Sequence, residues 1–315
     1  AVSYQLANLI ELHDKSKFEI IGMSFGKKNN DEMRNRIAKS FDEFHDLEKK
    51  SDEEIIKFSR HLKIDIAVDL MGFTKNNRFE IFIERCAPVQ INYLGYSGTL
   101  GSECIDYIVG DKILISKNNQ KNYSEKIINL PGSFMINDPN KKISVRNFSR
   151  KEFKLPEKSF VYCCFNNFYK ITPDVFDIWM RLLKKNKESV LWLSEGSDRI
   201  VKNLRNEATL RNIEQSRIIF SKRLPLLPDH LERLGLADLF LDTFPYNAHT
   251  TCSDALWSGL PVITKIGNSF SGRVAASMLN AIELPELITK TENEYEELAL
   301  YLSKNKDQLK KIKNK

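Results

Sequence analysis

Residues 247–264 read NAHTTCSDALWSGLPVIT, and they set His249, Thr250 and Thr251 between an apolar run, ADLFLDTF, and a helical segment that closes at Gly259-Leu260-Pro261. Two kinds of chemistry suit that placement. Thr250 or Thr251 can accept from the first unpaired N–H groups of the helix, and Thr251 with Asp254 has the spacing of a capping box. Alternatively, a helix start that follows a strand gathers unpaired N–H groups and the positive end of the dipole, which makes an anion site. Two more polar clusters follow apolar runs in the same part of the chain: Asn166-Asn167-Phe168-Tyr169-Lys170 after one, and His230 with Arg233, a helical turn apart, after another. Together these positions offer a cation, backbone donors, imidazoles and a carboxylate, an inventory suited to a nucleoside diphosphate. Lys170 and the helix start would meet phosphate oxygens, Asp254 ribose hydroxyls, and Asn167 and His230 a base edge or phosphate. Taken singly, each also has a plain structural role: Lys170 as a solvated side chain, His230 and Arg233 as a polar helix face, Asp254 as a cap. Their convergence on one sheet edge is what favours a ligand.

The elements that would bring them there alternate clearly from Ser159 onward. Apolar SFVYCCF, SVLWLS, RIIFS, ADLFLDTF and PVITKIG are separated by helical DVFDIWMRLLKK, DRIVKNLRNEATLRN, DHLERLGL and TTCSDALWSG, with GRVAASMLN following. Short apolar strands alternating with amphipathic helices build a parallel sheet covered on both faces, so this half is read as a Rossmann-like domain. The first half repeats the theme less cleanly. Helical YQLANLIELH, DEEIIKFSRHL and RFEIFIER alternate with strands FEIIGMSFG, IDIAVDLMG, VQINYLGY, DYIVGD and EKIINLPG. The Lys/Asn-rich stretches 26–30 and 117–122 read as surface loops. The polar connection Asn137-Asp138-Pro139-Asn140-Lys141-Lys142 puts a boundary near residues 138–150, giving domains 1–145 and 146–315. Two α/β domains in series hold a ligand in the cleft between them. G-x-G-x-x-G and G-x-x-x-x-G-K-[ST] are both missing, which removes the usual support for dinucleotide and P-loop chemistry.

Composition narrows the class further. At 315 residues, 42% hydrophobic, the chain is long enough for two cores. Its formal charge of +6 is spread out except for the closing LKKIKNK, which suits an anionic ligand without implying nucleic acid or a membrane surface. No run approaches the length of a membrane span and no signal peptide opens the chain, so a soluble protein is expected. Cys86, Cys104, Cys163, Cys164 and Cys252 form no C-x-x-C pair, and reduced thiols in a cytoplasm are the simplest account. No histidine pairs with a cysteine at ligand spacing, so no metal is expected. Residue 1 is Ala, which suggests a fragment or processed product.

The stretches MGFTKNNRFEIF, APVQINYLGYSGTLG, DYIVGD, YSEKIINLPG, FNNFYKITP, SVLWL, RIIF, LADLFLDTFPYNAHTTCSDALWSGLPVIT, GRVAASML and LPELI run in order over nearly the whole chain. They resemble the protein O-linked N-acetylglucosamine transferases, a family that includes bacterial and SPINDLY-like plant members. The resemblance implies a GT-B fold, α/β with two Rossmann-like domains and a cleft between them, the first on the acceptor side and the second binding the nucleotide sugar. It implies inverting, metal-independent transfer of N-acetylglucosamine from UDP-GlcNAc to protein Ser and Thr hydroxyls, without a cofactor, in a cytoplasmic protein preceded by helical TPR repeats. By the same resemblance Lys170 neutralises the leaving diphosphate, and His249, Thr250 and Thr251 form the phosphate loop. Asp254 binds ribose, and Asn167, His230 and Arg233 make further nucleotide contacts. Leu94 and Gly95 present sugar-facing backbone, while Lys75 and Arg78 match basic positions near the acceptor peptide. Breaking the glycosyl–phosphate bond builds negative charge that a fixed lysine and helix donors stabilise.

The departures are specific. Asn167 stands where animal members have Gln, and Ser97 where Pro is common. The family's first strand and its loop ending in Asp-Phe-x-x-His align just before Ala1, which takes the candidate proton-handling histidine out of the chain. The terminal helix that returns to the first domain would follow Lys315. Two other functions stay open at this point: transfer of fucose from GDP-fucose, as in the plant branch, and a non-catalytic nucleotide-binding or protein-interaction module.

Overall fold

The computed structural model describes residues 2–28 and 31–315. Ala1, and Asn29 and Asn30 of the 26–30 stretch read as a loop, lie outside them. The chain divides into two compact units, Ala1–Asn140 and Lys141–Lys315.

In the first unit, α1 (Val2–Glu11) and α2 (Glu32–Ser40) accompany a two-stranded parallel sheet of β1 (Ile21–Ser24) and β2 (Glu43–Asp46). The sequence reading missed α2 and β2 because both are dominated by polar residues. Specific polar contacts make α2: Asp31 caps it by accepting from Arg34 N at 2.7 Å, and Arg36 pairs with Glu11 at 2.7 Å and Asp138 at 2.5 Å. Helix α3 (Asp52–His61) opens on a capping box, with Glu54 N donating to Ser51 Oγ and Ser51 N donating to the Glu54 carboxylate. A separate four-stranded parallel sheet follows, in the order β3 (Ile66–Asp69), β4 (Val89–Asn92), β5 (Tyr107–Asp111), β6 (Lys126–Leu130). The expected α/β character holds, but the crossovers are short. Only α4 (Glu80–Ile83) lies between β3 and β4, and the 117–122 stretch, read as a loop, is a 3-10 helix, Lys117–Asn122.

The loops after β3 and β4 are packed against each other. The Asp69 carboxylate accepts from Met71 N at 2.8 Å and Gly72 N at 3.0 Å, and the Asp69 carbonyl accepts from Tyr93 N at 2.9 Å. Leu94 has φ of 67°, and a Cβ on Gly95 would stand 1.8 Å from the Leu70 carbonyl oxygen. Only glycine fits there.

In the second unit, six parallel strands run in the order β12-β11-β10-β7-β8-β9. The chain starts in the middle with β7 (Phe160–Cys164) and steps outward through α5 (Pro173–Lys185), β8 (Ser189–Ser194), α6 (Asp198–Leu210) and β9 (Ile218–Ser221). It returns by α7 (Leu227–Leu234) to β10 (Leu239–Leu241) beside β7. From there it leaves in the other direction through α8 (Thr250–Trp257), β11 (Val262–Lys265), α9 (Val274–Ala281) and β12 (Ile288–Thr289). The order reverses between β7 and β10, and in a doubly wound sheet the crevice at the carboxyl ends of two such strands is where ligands bind. Trp179, Trp192, Tyr162 and Phe240 are fully buried in this unit's core.

Helices α10 (Glu292–Lys304) and α11 (Lys306–Asn314) complete the unit; the sequence reading assigned neither. Glu-rich α10 has a capping box at Thr291 and Glu294, and it buries Tyr295, Ala299 and Leu302 along one stripe. Its buried Glu296 receives Arg181 and Lys185 of α5 at 2.7 and 2.8 Å. All five cysteines are free thiols, with Cys104 half-buried and the others buried. Among the described residues no helix is long and apolar enough to cross a membrane.

Gly95→Ala is expected to lower folding stability by about 1–3 kcal/mol through its clash with the Leu70 carbonyl, whereas Gly26→Ala, which meets open space, stays within about 0.5 kcal/mol. Urea midpoints of the two variants check the contrast.

Candidate active site

The carboxyl end of β10 leads directly to Asp242, which is wholly buried. One oxygen of its carboxylate accepts from Thr243 N at 2.8 Å and Ala248 N at 2.6 Å, and the other from Thr264 Oγ1 at 2.6 Å. Those bonds fold residues 242–249 into a closed loop. Tyr295 of α10 donates to the Asp242 carbonyl at 2.9 Å, anchoring the same residue from behind. Burial pushes the Asp242 carboxyl up to about 7, against the pull of its donors and of the Lys170 charge.

Asn166, at the end of β7, closes the neighbouring strand onto this loop. Its Nδ2 donates to Thr243 Oγ1 at 2.8 Å, and its Oδ1 accepts from the Thr251 hydroxyl. The 3-10 turn Phe168–Lys170 then carries Lys170 inward. The Lys170 ammonium donates to the Asn247 carbonyl at 2.7 Å and lies 3.9 Å from the centre of the Tyr246 ring. Only 9% of Lys170 is exposed, and no carboxylate lies within ion-pair distance of it among the described residues. Burial lowers its pKa, while Asp242 acts from further away to keep it charged. The result is a desolvated cation with a carbonyl, a ring and a distant acid around it, and with no direct counter-ion.

The loop that carries the Asn247 carbonyl runs directly into the start of α8. His249 occupies the N-cap position and makes no side-chain cap bond. The capping box expected from Thr251 and Asp254 does not form, because Thr251 turns its hydroxyl to Asn166 and Asp254 is engaged by Lys141, at 3.0 Å. Among the described residues nothing accepts from the backbone N–H of Thr250 or Thr251, whereas Cys252 N and Ser253 N bond the His249 carbonyl. Two amides are thus open at the positive end of the helix. Half-buried His249 has its Nε2 3.4 Å from the Ser271 carbonyl; burial and the Lys170 charge hold its imidazole down to about 3, so it is neutral.

His230 and Arg233 form one assembly on α7. Arg233 is buried, donates to the Lys222 carbonyl at 2.6 Å and Ser221 Oγ at 3.2 Å, and lies 4.7 Å over the Phe165 ring. Its Nε and Nη2 meet His230 Nδ1 at 3.1 and 2.9 Å. A guanidinium has no lone pair to offer, so Nδ1 is the acceptor and the ring proton is on Nε2. Burial, with the charge of Arg233 second, pushes His230 down to about 4.

The structure therefore gathers Lys170, His249, Thr250 and Thr251 at the β7/β10 switch point, with Asp254 one turn along the same helix and the His230–Arg233 pair beside Phe165. Asn167 is exposed, and its side chain does not cap the turn that follows it. Sequence reasoning passed over Asp242, Tyr246 and Lys141, and it quoted Asn166 in its cluster without giving it a role. Asp242 had a signal: an acid directly after the buried run LFL. Leu94, Gly95, Lys75 and Arg78 belong to the first unit. Leu94 is buried, Lys75 exposed, and Arg78 is tied to Asp52 at 2.5 Å and to the Lys50 carbonyl at 2.8 Å. No group of three or more His, Cys, Asp or Glu among the described residues is placed to hold a metal ion.

Among solved structures, the chain matches an O-GlcNAc transferase of Thermobaculum terrenum, a lysine-to-methionine variant, with a TM-score of 0.90 and 28% identity over 99% of this chain and 59% of that one. It matches Anabaena HepE bound to UDP-glucose in fold alone, with a TM-score of 0.53 and 12% identity over 99% of this chain and 92% of that one. These likenesses and the switch-point site define a GT-B glycosyltransferase fold. The chain belongs to glycosyl transferase family 41, which matches residues 1–146 and 141–315. A probable UDP-N-acetylglucosamine–peptide N-acetylglucosaminyltransferase, SEC of Arabidopsis thaliana, is 33% identical over 99% of this chain and 32% of its own length. The Arabidopsis protein SPINDLY, described in the same words, is 29% identical over 99% of this chain and 35% of its length. The chain thus spans about a third of these curated relatives.

Replacing Asp242 by Ala strands two buried amides and a hydroxyl, and it is expected to cost about 3 kcal/mol or more; chemical denaturation measures this. The depressed pKa of His230 favours the folded state above the unfolded value near 6.5, and that contribution is lost as pH falls toward about 4. An NMR titration is expected to show the His230 ring neutral with its proton on Nε2 down to about pH 5; a midpoint near 6.5 would contradict the Arg233 contact.

Proposed function

We propose that the full-length protein transfers N-acetylglucosamine from UDP-GlcNAc to Ser and Thr hydroxyls of proteins. The observation that carries the proposal is Lys170, a buried ammonium with no carboxylate at contact distance among the described residues, bonded to the loop whose next residues carry the two open amides of α8. A diphosphate supplies the missing negative charge. In the reaction the acceptor hydroxyl oxygen bonds to the sugar's anomeric carbon from the face opposite the diphosphate, inverting it, and its proton is released to water. The carbon–oxygen bond to the diphosphate breaks, and the electron pair leaves with the phosphate. Negative charge then grows on the diphosphate, and Lys170 with the amides of Thr250 and Thr251 stabilises that charge more in the transition state than in the bound donor. That positive field does the work a metal does in other transferases, and the reaction is proposed to run without a metal or cofactor.

Around this centre Asp254 accepts ribose hydroxyls. His230 donates from Nε2 to an acceptor on the base or phosphate, with Arg233 holding it in that tautomer, and exposed Asn167 adds a further nucleotide contact. His249 stays neutral beside the phosphates and adds no competing charge. In the first unit the backbone at Leu94 and Gly95 is assigned to the donor sugar. Lys75 is assigned to the acceptor peptide; Arg78, already tied to Asp52, contributes by shaping the same loop. The N-acetylglucosaminyltransferase names of the relatives support the choice of donor and acceptor, and helical repeats and a cytoplasmic setting are proposed with them.

In the full-length protein, Lys170→Ala is expected to lower turnover by about 100-fold or more while UDP affinity changes by less than about tenfold. Sugar transfer and UDP calorimetry on the same preparations test this, and unchanged turnover rejects the role. Competition between UDP and GDP tests the donor: a preference for GDP replaces UDP-GlcNAc with a guanosine sugar such as GDP-fucose.

A further inference from the structure

Lys141 has no role in the function proposed above, yet it is placed with unusual care. It is the first residue of the second unit, and its side chain is 3% exposed while that of Asp254 is 10% exposed. The ammonium meets Asp254 Oδ1 at 3.0 Å, and the Lys141 carbonyl accepts from the Trp257 indole at 3.2 Å. Thr250, Asp254 and Trp257 recur every three to four residues on α8 and so share one face. Lys141 is therefore held at both ends along the helix face that begins at the open amides. A buried lysine stripped of water is costly unless it meets a charge, and it meets the Asp254 carboxylate, one turn along α8 from the open amides.

We propose that Lys141 is the positioning residue for ribose recognition: it keeps the Asp254 carboxylate ionised and aimed, so that both oxygens accept from the sugar hydroxyls of a nucleoside diphosphate. The inference rests on the reading of Asp254 as the ribose-binding group. A carboxylate accepts two hydroxyl hydrogens, whereas a protonated carboxyl spends one oxygen as a donor and discriminates poorly against a sugar that lacks a hydroxyl. Burial raises the pKa of Asp254, and Lys141 opposes that rise by its charge and its hydrogen bond. Among the described residues no other basic side chain pairs with Asp254. On α8, Cys252 is a buried neutral thiol. On α7, His230 is neutral and Arg233 is bound to it, and neither forms an ion pair with Asp254; on β11, Lys265 pairs with Glu292.

The test compares calorimetric affinities of the full-length protein for UDP and 2′-deoxy-UDP, with GDP and 2′-deoxy-GDP if the guanosine form binds better. The parent is expected to prefer the ribose form by about tenfold or more, the worth of one hydrogen bond to a charged group. Lys141→Met is expected to bring the ratio close to one at pH 7 and to regain it as the pH rises and Asp254 ionises, while Lys141→Arg retains it throughout. A protein merely damaged in folding would not recover with pH. Should Lys141→Met not fold, Lys141→Gln replaces it, keeping a donor without the charge. A ratio unchanged at neutral pH in the uncharged variant, with Asp254→Asn abolishing it, overturns the role of Lys141 and leaves the ribose reading intact. If Asp254→Asn itself keeps the ratio, the ribose reading fails and the inference with it.

Discussion

The second unit is organised around a positive charge that has no carboxylate at contact distance among the described residues. Bringing an ammonium out of water is expensive, and proteins ordinarily repay the cost with a carboxylate at contact distance. Lys170 has instead a carbonyl, the face of Tyr246, and an acid held too far away to form a pair. Such an arrangement is stable only if everything around it is fixed. Asp242 fixes it by taking up the free donors of its own loop, and that loop carries both the Asn247 carbonyl and the start of α8. The open amides and the open cation are then two sides of one electrostatic design.

The support for that loop reaches through the sheet. Tyr295 on α10 holds the Asp242 carbonyl, and α10 is itself clamped to α5 by Glu296 between Arg181 and Lys185. Helix α5 starts just after Lys170, with Thr172 as its cap and Pro173 in its first turn. The two residues that set the site's charge, Lys170 and Asp242, are thereby tied to one helical layer, and the spacing between them is set by core packing. Precision of that kind is what preorganised electrostatic catalysis requires.

Much of this was legible in the residues. The alternation of apolar runs with amphipathic helices gave the parallel strands of the second unit, and the polar clusters after FVYCC, RIIF and LFL gave the residues at the carboxyl edge. Periodicity alone does not reveal which polar group turns inward. Asn166 and Asn167 are neighbours of one residue type, and only the pleat and the turn decide that the first is buried and the second exposed. Thr251 and Asp254 had the spacing of a local cap, but tertiary partners, Asn166 and Lys141, outcompeted the local bond. In the first unit, α2 and β2 were missed because ion pairs rather than an apolar stripe hold them, and the short crossovers carry too little periodicity to read.

The contact between Arg233 and His230 makes two positions interdependent. Ser221 and the Lys222 carbonyl seat the guanidinium, and the guanidinium decides which imidazole nitrogen bears hydrogen. Without Arg233 the histidine would stay in place, but either imidazole nitrogen could carry the proton. The ring, the guanidinium and its seat therefore act as one polar unit, in which a change at any member alters what the ring shows to its surroundings.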